Sequence, residues 1–249
     1  MERSIDIPRH LAGRDIAERH VENCTDQDRA VIGVLCSAYN TSAELTLLDV
    51  PCGSGNLLRQ VEETFSNSTL VGADIVVPSN PLASFVHFDA AHPTLSRIGK
   101  RFDVVTCVSG VMEFGNTLAF FEDVRAVIND YGLLVVTNDN LLTVRDRILY
   151  FFAGRHGQYP LDLERTTPTW QITPVQNVVR ALRDAGFEIE SLAYVPVRRA
   201  NWLWLPLAIP LFIAGRLSGK LPAPFAELQS LRSLLSRHYV ITCRPASGN

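Results

Sequence analysis

The sequence predicts an α/β fold built on a doubly wound, mostly parallel sheet with helices on both faces. Apolar runs alternate with segments of helical periodicity along most of the 249 residues. The first run, residues 45–50, is almost wholly apolar, as expected of a parallel strand buried on both faces. A hydrophobic content of 47% excludes a disordered chain. We therefore expect a single domain over residues 1–249.

Seven strands and four helices are predicted from these patterns. The strands fall at residues 45–50, 69–77, 84–91, 101–111, 131–138, 187–195 and 238–244. The helices fall at residues 30–39, 56–65, 118–128 and 173–187, and Gly186 ends the last of them. Residues 1–29 are polar and charged and are expected to form an N-terminal cap. Residues 139–172 show no clear periodicity and are predicted to be irregular.

The cysteines and the N-terminus predict a reduced, cytoplasmic protein. The five cysteines stand at positions 24, 36, 52, 107 and 243, without a CxxC pair. This spacing fits neither a disulfide framework nor a zinc site, so no metal is expected. The first twenty residues carry charges throughout and lack the apolar core of a secretion signal.

The charges divide the chain into an acidic body and a basic end. From Arg198 onward there are seven basic residues and one acid, whereas the first 197 residues hold 16 bases and 25 acids. An acidic body argues against nucleic acid as a partner. The basic end leaves an anionic surface open as a partner for that part.

A glycine-containing turn follows the first strand and is the most informative segment. Asp49 ends the strand, and Gly53 and Gly55 lie in the turn that opens the next helix. Glycines there allow positive φ angles and a close approach of the backbone to a ligand. Asp74 and Asp89 end the second and third strands. Open α/β sheets bind ligands at this carboxyl edge, where an acid can accept both hydroxyls of a ribose.

The turn does not fit a dinucleotide cofactor. The dinucleotide-binding fingerprint requires a third glycine, but Leu58 stands at that position. The two glycines alone are therefore weak evidence for a ligand, whereas four strand-end signals in order along the chain are much stronger evidence.

These motifs resemble those of the class I S-adenosylmethionine-dependent methyltransferases. The first motif of that family matches residues 49–55 (DVPCGSG), the acidic second motif matches Asp74, and the adenine motif matches Asp89-Ala90. The fourth strand, FDVVTCVSGVMEF, also matches. The resemblance implies a Rossmann-like sheet of seven strands, with the last strand antiparallel and inserted beside the fifth.

The resemblance also implies a set of cofactor contacts. Gly53 and Gly55 would flank the methionine moiety, Asp74 would hold the ribose and Asp89 would contact the adenine. The predicted S-adenosylmethionine site comprises Asp49, Cys52, Gly53, Ser54, Gly55, Asp74, Ile75, Asp89, Ala90 and Cys107. Cys52 and Cys107 are expected to pack there and not to act as nucleophiles.

A hydroxyl acceptor gains from a general base, and Glu113 and His156 are the predicted catalytic residues. Glu113 follows the fourth strand, where Phe114 stands at a position often held by His in the family. His156 lies in a glycine-bounded loop on the side where this fold binds its acceptor. Other carboxylates remain candidates for the base: Asp139, Asp162 and Glu164.

The acceptor is predicted from a further resemblance. Residues 135–157, VVTNDNLLTVRDRILYFFAGRHG, are similar to a bacterial subgroup associated with polysaccharide and lipid biosynthesis. This implies O-methylation of a glycan or lipid-linked intermediate, with residues 139–172 and 196–236 as insertions on the acceptor side. Alternatives are methylation of an apolar small molecule, such as a quinone or natural product, and S-adenosylmethionine binding without catalysis.

An apolar run at residues 202–214 has two interpretations. It is shorter than the ~20 residues that a membrane span needs, and Pro206 and Pro210 are expected to break a helix. It could contact the inner face of a membrane, with Trp202 and the basic residues around it at the lipid headgroups. Alternatively, protein covers it, as a lid on the acceptor site or in a homodimer. Burial against protein is the interpretation that we favour from the sequence.

Overall fold

A computed structural model describes residues 25–78, 84–90, 92, 94–156 and 171–246. The strands are β1 (Leu45–Asp49), β2 (Ser68–Asp74), β3 (Phe85–His87), β4 (Phe102–Val108), β5 (Ile128–Asp139), β6 (Phe187–Tyr194) and β7 (His238–Pro245). The α-helices are α1 (Asp26–Ala38), α2 (Asn56–Thr64), α3 (Thr117–Val127), α4 (Val144–Ala153), α5 (Val175–Asp184), α6 (Leu205–Leu217) and α7 (Leu231–Leu235).

The strands form one sheet in the order β3-β2-β1-β4-β5-β7-β6. Strands β1 to β5 pair in parallel, whereas β7 runs antiparallel to both of its neighbours, β5 and β6. The predicted insertion of the last strand beside the fifth is therefore confirmed. The order reverses on either side of β1, so the carboxyl ends of β1, β2 and β4 meet at one edge.

Helices cover both faces of the sheet because its central strands are apolar on both sides. Leu47 and Leu48 are adjacent in β1, point to opposite faces and are both fully buried. Leu47 packs in the core beneath α1 and α2, and Leu48 in the core beneath α3 and α5. The doubly wound architecture follows from this two-sided burial.

Two predicted boundaries are corrected. Helix α1 begins at Asp26, inside the predicted cap of residues 1–29, because Thr25 and Asp28 form a reciprocal capping box. The first 24 residues of that cap lie outside the described residues. Residues 144–153, predicted to be irregular, form α4. Its amphipathic pattern is obscured because its last turn carries exposed aromatic side chains instead of polar ones.

The apolar run is also corrected. Residues 205–217 form a continuous helix, because Pro206 lies in the first turn, where its missing N–H costs little, and Pro210 is accommodated inside. Burial of this segment by the described residues of the same chain, one form of the protein cover favoured from the sequence, is wrong, whereas its cover in a homodimer stays a prediction. Within residues 199–217, only 6% of the most apolar 18-residue stretch is buried. Leu203 and Leu217 are 83% and 82% exposed.

Candidate functional site

The glycine turn connects the end of β1 to the start of α2. Gly53 and Gly55 have φ angles of +51° and +76°, which residues with a Cβ rarely adopt. A Cβ built at Gly53 would meet no atom within 4 Å, so the turn is open to a ligand on that side. The Cys52 N–H donates to the Ala73 carbonyl at 3.0 Å and fixes the turn to β2. Ser54 is half-buried, and its carbonyl accepts from Arg59 at 3.3 Å.

Asp74, the last residue of β2, organises this turn. Its Oδ2 accepts the Gly53 N–H at 2.8 Å, and its Oδ1 accepts the Val76 N–H at 3.0 Å. An ionised carboxylate has about four acceptor positions. Both oxygens of Asp74 therefore keep capacity for ligand hydroxyls while they hold the backbone of the turn.

A group of carboxylates converges on the carboxyl edge of β1, β2 and β4. The pKa of Asp49 is raised to about 8, chiefly by burial and in smaller part by the charges of Asp28 and Asp74, although a hydrogen bond of 2.6 Å from the Thr106 hydroxyl opposes this rise. Among the described residues, no Lys, Arg or His forms an ion pair with Asp49, Asp74 or Glu113. The edge is therefore suited to a cationic ligand.

Glu113 lies in the segment after β4 and borders the same cluster. Burial, with a smaller contribution from the charge of Asp74, raises its pKa to about 7. Gln171 holds this segment, because its side-chain amide donates to the Phe114 carbonyl and to Thr117 Oγ1, each at 2.7 Å. A carboxyl group held in place with a pKa near neutrality is suited to proton transfer.

The segment after β4 also packs tightly on the glycine turn. A Cβ at Gly110 would overlap the Pro51 ring and approach Phe114 to 3.0 Å. Only glycine permits this contact without displacement of one segment. The close packing fixes the position of Glu113 relative to the turn.

The remaining predicted cofactor residues lie around this edge. Ile75 is exposed directly after β2, and Ala90 is partly buried against the core after β3. Asp89 also follows β3, and its side chain is 41% exposed beside His92, with Nδ1 and Oδ2 3.4 Å apart. Asp89 and Ala90 thus lie at the same edge as Asp74, one strand further from β1.

The two cysteines are buried packing residues. Burial raises the pKa of the Cys52 and Cys107 thiols well above its usual range, and the neighbouring charge of Asp49 adds to this. Because only the thiolate is a strong nucleophile, neither side chain is suited to covalent catalysis. Among the described residues, no cluster of three or more His, Cys, Asp or Glu could hold a metal ion.

The sequence matches a family model described as "Methyltransferase domain" over residues 22–192. The chain belongs to this methyltransferase family. It is an S-adenosylmethionine-dependent methyltransferase, and the fold and motifs expected of that class are present. No curated protein matches the sequence significantly.

Solved structures share the fold of this methyltransferase. A Bacillus halodurans C-125 protein assigned as a methyltransferase aligns with a TM-score of 0.55 at 15% identity, over 90% of this chain and all of the other. A Clostridium acetobutylicum S-adenosylmethionine-dependent methyltransferase aligns with a TM-score of 0.53 at 10% identity, over 92% and 95% of the two chains. The cyclase SpnF aligns with a TM-score of 0.52 at 17% identity, over 89% and 81%. The TM-scores show a common fold, and at such low sequence identity the likeness extends no further than the fold.

The edge of the sheet fits S-adenosylmethionine. The cofactor carries a sulfonium and an ammonium charge against one carboxylate, and the edge presents carboxylates that no described basic side chain neutralises. The left-handed turn at Gly53 and Gly55 is open at Gly53 and admits a ligand against the backbone there. Asp74 keeps acceptor capacity for a ribose, as the motif comparison implies.

The structure does not join His156 to this cluster. Its ring stacks on Tyr150 at 5.2 Å between centroids, beyond the end of α4. No described contact links His156 to Glu113 or to the glycine turn. Asp139 pairs with His238 at 2.8 Å, and Asp162 and Glu164 lie outside the described residues. Glu113 is thus the candidate base that lies beside the carboxylates of Asp49 and Asp74, which we call the cofactor cluster. The role of His156 stays a prediction.

Sequence reasoning missed a polar contact from α1 to the ends of β4 and β5. The Gln27 side-chain amide donates to Ser109 Oγ at 2.6 Å and to Thr137 Oγ1 at 3.3 Å. Ser109 has a φ of +57°, rare for a residue with a Cβ and often found at functional sites. Ser109 and Thr137 lie 82 and 110 residues from Gln27 in the sequence. No local pattern could have connected them.

Proposed function

We propose that the chain methylates a hydroxyl group of a glycan or lipid-linked biosynthetic intermediate. The observation that carries this proposal is the position and acidity of Glu113, a partly buried carboxyl group beside the cofactor cluster with a pKa of about 7. A sulfonium methyl group reacts readily with neutral amines and needs no base for them. A hydroxyl acceptor loses a proton, so a poised base favours oxygen as the acceptor atom.

The chain's own groups divide the work between binding and proton transfer. When bound, S-adenosylmethionine supplies an electrophilic methyl group on sulfur. The Asp74 carboxylate favours the cationic ligand at this edge, as does Asp49 when it loses its proton, and the glycine turn orients the ligand. The Glu113 carboxylate accepts the proton of the acceptor hydroxyl as the new carbon–oxygen bond forms and the methyl–sulfur bond breaks, so that a neutral thioether leaves. Positioning accounts for most of the rate, as in other in-line displacements.

A second acceptor class is an apolar small molecule, for example a quinone or natural product. Its support is the apolar environment of Glu113, which stands between the buried side chains of Met112 and Phe114. Met112 in turn packs on the buried Leu141, so apolar side chains connect the segments after β4 and β5. The structural neighbour SpnF is named as a cyclase, so the fold also hosts proteins defined by another reaction. Cofactor binding without methyl transfer is therefore the third outcome to distinguish.

Transfer of a labelled methyl group separates these outcomes. The protein is incubated with methyl-labelled S-adenosylmethionine and separate glycan, lipid-linked and quinone fractions, and the products are treated with mild alkali. We expect label in the glycan or lipid-linked fraction as an alkali-stable ether. Label in a quinone would indicate the second class. Cofactor binding by calorimetry without label in any fraction would reject catalysis.

We further propose that the protein works in the cytoplasm, at the inner face of the membrane. The support is the absence of a CxxC pair, the free thiols of Cys36, Cys52, Cys107 and Cys243, and the basic, apolar end of the chain. Fractionation of cells that express the tagged chain tests this assignment, and recovery from an extracellular fraction would contradict it.

A further inference from the structure

Helix α6 presents apolar side chains to the outside of the protein. Ala208 is fully buried and Phe212 and Gly215 are half-buried, so one stripe of the helix packs inward at a spacing of four and three residues. The exposed remainder of α6, together with Trp202 and Leu203 before it, is apolar except for Arg216. Its large members are Trp202, Leu203, Leu207, Ile209, Leu211, Ile213 and Leu217, each at least 38% exposed. A soluble surface helix has polar residues there.

A second apolar patch lies on the helix that supports α6. Val144 and Ile148 of α4 pack in one cluster with Ala208 and Phe212. Phe151 and Phe152 stand three and four residues beyond Ile148, and therefore on the same side of α4. They are 81% and 80% exposed. The face that α4 turns toward α6 thus continues into exposed aromatic rings.

Positive charge surrounds the exposed apolar residues. No acidic residue occurs between Glu190 and Glu227, whereas this interval contains four basic residues: Arg198, Arg199, Arg216 and Lys220. Arg198 pairs with Asp26 at 2.9 Å and ties the segment to α1. Arg199 precedes the apolar surface, and Arg216 and Lys220 lie at its end. Basic residues at both ends of an apolar segment complement anionic lipid headgroups.

The segment has the dimensions of an interfacial helix. By length and composition, residues 199–217 are long and apolar enough to cross a membrane, with a mean hydropathy of 1.3. However, residues 199–204 form a 3₁₀ helix, and α6 has 13 residues. An α-helix of that size is about 20 Å long, shorter than the ~30 Å hydrocarbon core. One stripe of α6 is also fixed against α4 and α7. The helix can enter one leaflet but cannot cross the bilayer in this conformation.

We propose that α6, residues 202–203 and the Phe151–Phe152 patch form a docking surface for an anionic phospholipid bilayer. The exposed leucine and isoleucine side chains enter the acyl region. Arg199, Arg216 and Lys220 remain among the headgroups, with their alkyl stems along the apolar surface. The guanidinium of Arg216 already lies 5.3 Å from the centroid of the Phe212 ring. This proposal is independent of the identity of the methyl acceptor.

Vesicle flotation tests the docking surface with the full chain. We expect flotation with vesicles that contain phosphatidylglycerol in phosphatidylcholine, and weaker flotation with phosphatidylcholine alone. The double variant Leu207→Glu/Ile213→Glu should lower partition into the mixed vesicles at least about tenfold, because two apolar insertions are lost. Tyr131→Glu is the matched control, since Tyr131 is 89% exposed at the amino-terminal part of β5.

Three results would overturn the proposal. One is the absence of flotation with mixed vesicles, and another is unchanged flotation of the double variant with native circular dichroism and cofactor binding. The third is resistance of the bound protein to alkaline extraction, which would indicate a spanning helix. Sedimentation tests whether a second copy of the chain covers this surface instead. If the wild type does not float and forms a dimer that the double substitution dissociates, the surface belongs to a second copy of the chain.

Discussion

Two regions of the molecule contain groups without a suitable partner in the described chain, but the groups differ in kind. One region is the cofactor edge, the carboxyl ends of β1, β2 and β4, and the other is the helical unit of α4, α6 and α7. At the cofactor edge, the described carboxylates of Asp49, Asp74 and Glu113 are buried to different degrees without a basic partner. In the helical unit, apolar side chains are exposed, while the nearby charges are basic. Burial without a basic partner disfavours the ionised form of a carboxyl group, and exposed apolar area is likewise unfavourable in an isolated chain.

The difference teaches that each region is complementary to a different kind of partner. Unpaired buried carboxylates are stabilised by a small cationic ligand, which S-adenosylmethionine provides. An exposed apolar helix with basic ends is stabilised by an extended anionic surface. The overall net charge of −3 averages these two regions and conceals both.

The largest expected effect is on catalysis at the cofactor edge. Glu113→Gln should lower the turnover number about 10²–10⁴-fold, since a general base is lost. In the wild type, the rate should rise with pH through about 7, because the Glu113 carboxylate must be deprotonated to accept a proton. The variant should lack that rising limb. Steady-state rates from pH ~5 to ~9 measure both effects.

Glu122→Gln is the matched control for this experiment, because Glu122 is exposed on α3. It should keep the wild-type rate and pH profile. If Glu113→Gln retains full turnover while it binds the cofactor normally, Glu113 is not the base. His156 would then have to be tested in the same way.

The next effect concerns cofactor affinity. Asp74→Ala should weaken S-adenosylmethionine binding by about tenfold or more, because a charged acceptor is lost and the Gly53 N–H loses its partner. Removal of the Asp74 charge should also lower the pKa of Glu113 and move the rising limb to lower pH. Titration calorimetry measures the affinity, and rate profiles measure the shift.

Asp103→Ala provides the control at the opposite edge of the sheet. Asp103 likewise accepts a backbone N–H, from Thr46 at 3.0 Å, and a side-chain amide, from Asn129 at 2.7 Å. Its loss should reduce stability and leave cofactor affinity unchanged. Equal weakening by the two variants would show that Asp74 acts through general stability and not at the cofactor.

The cofactor edge could be predicted from sequence because its determinants are local. The segment from Asp49 to Gly55 contains a strand end, a turn and a helix start, and Asp74 occupies the end of the next strand. Parallel strands bring such ends together by topology alone. The contact of Gln27 with Ser109 could not be predicted, since it depends on how α1 docks on the finished sheet.

The helical unit could not be predicted because the usual amphipathic pattern is absent. The periodicity that identifies a helix assumes a polar outer face, and both α4 and α6 have apolar outer residues, such as Phe151 and Leu207. The prolines of α6 then favoured a broken segment. The apolar outer residues that made these helices hard to recognise in the sequence are the same residues from which we infer their contact with a membrane.

A smaller effect links protonation to cofactor binding. Asp49 has a pKa of about 8 and is mainly protonated at pH 7 in the free protein, and a cationic ligand should lower this pKa. Binding should therefore release up to one proton and strengthen as the pH rises from ~6 to ~8. Calorimetry in buffers of different ionisation enthalpy measures the release. Glu113→Gln is used as the background because Glu113 titrates in the same range.

Asp49→Asn in that background should abolish the proton release. Persistent release would assign it to another group. The pKa of Asp49 in the folded protein is also higher than that of an aspartate in the unfolded chain, so the folded protein keeps this proton to a higher pH. The stabilising contribution of Asp49 is thus present at low pH and declines as the pH rises from ~4 through ~8, which denaturation at several pH values can measure.

The smallest expected effect lies in the helical unit and concerns how α6 is held. The Gln229 amide donates to the Gly215 and Gly219 carbonyls, at 3.1 and 2.6 Å, and accepts from the Leu221 N–H at 3.1 Å. Gln229→Ala should lower the melting temperature by about 2–4 °C, for a loss of about 1 kcal/mol from partly exposed bonds. Cofactor affinity should not change, because this contact lies outside the sheet edge.

Ser218→Ala is the control, since the Ser218 hydroxyl makes a local bond of 2.8 Å to the same Gly215 carbonyl. It should change the melting temperature less than Gln229→Ala. If Gln229→Ala also lowers vesicle binding as much as Leu207→Glu/Ile213→Glu does, the orientation of α6 on the protein is essential for docking. Unchanged vesicle binding would mean that the apolar side chains suffice, and that the bilayer itself holds the end of α6 in place.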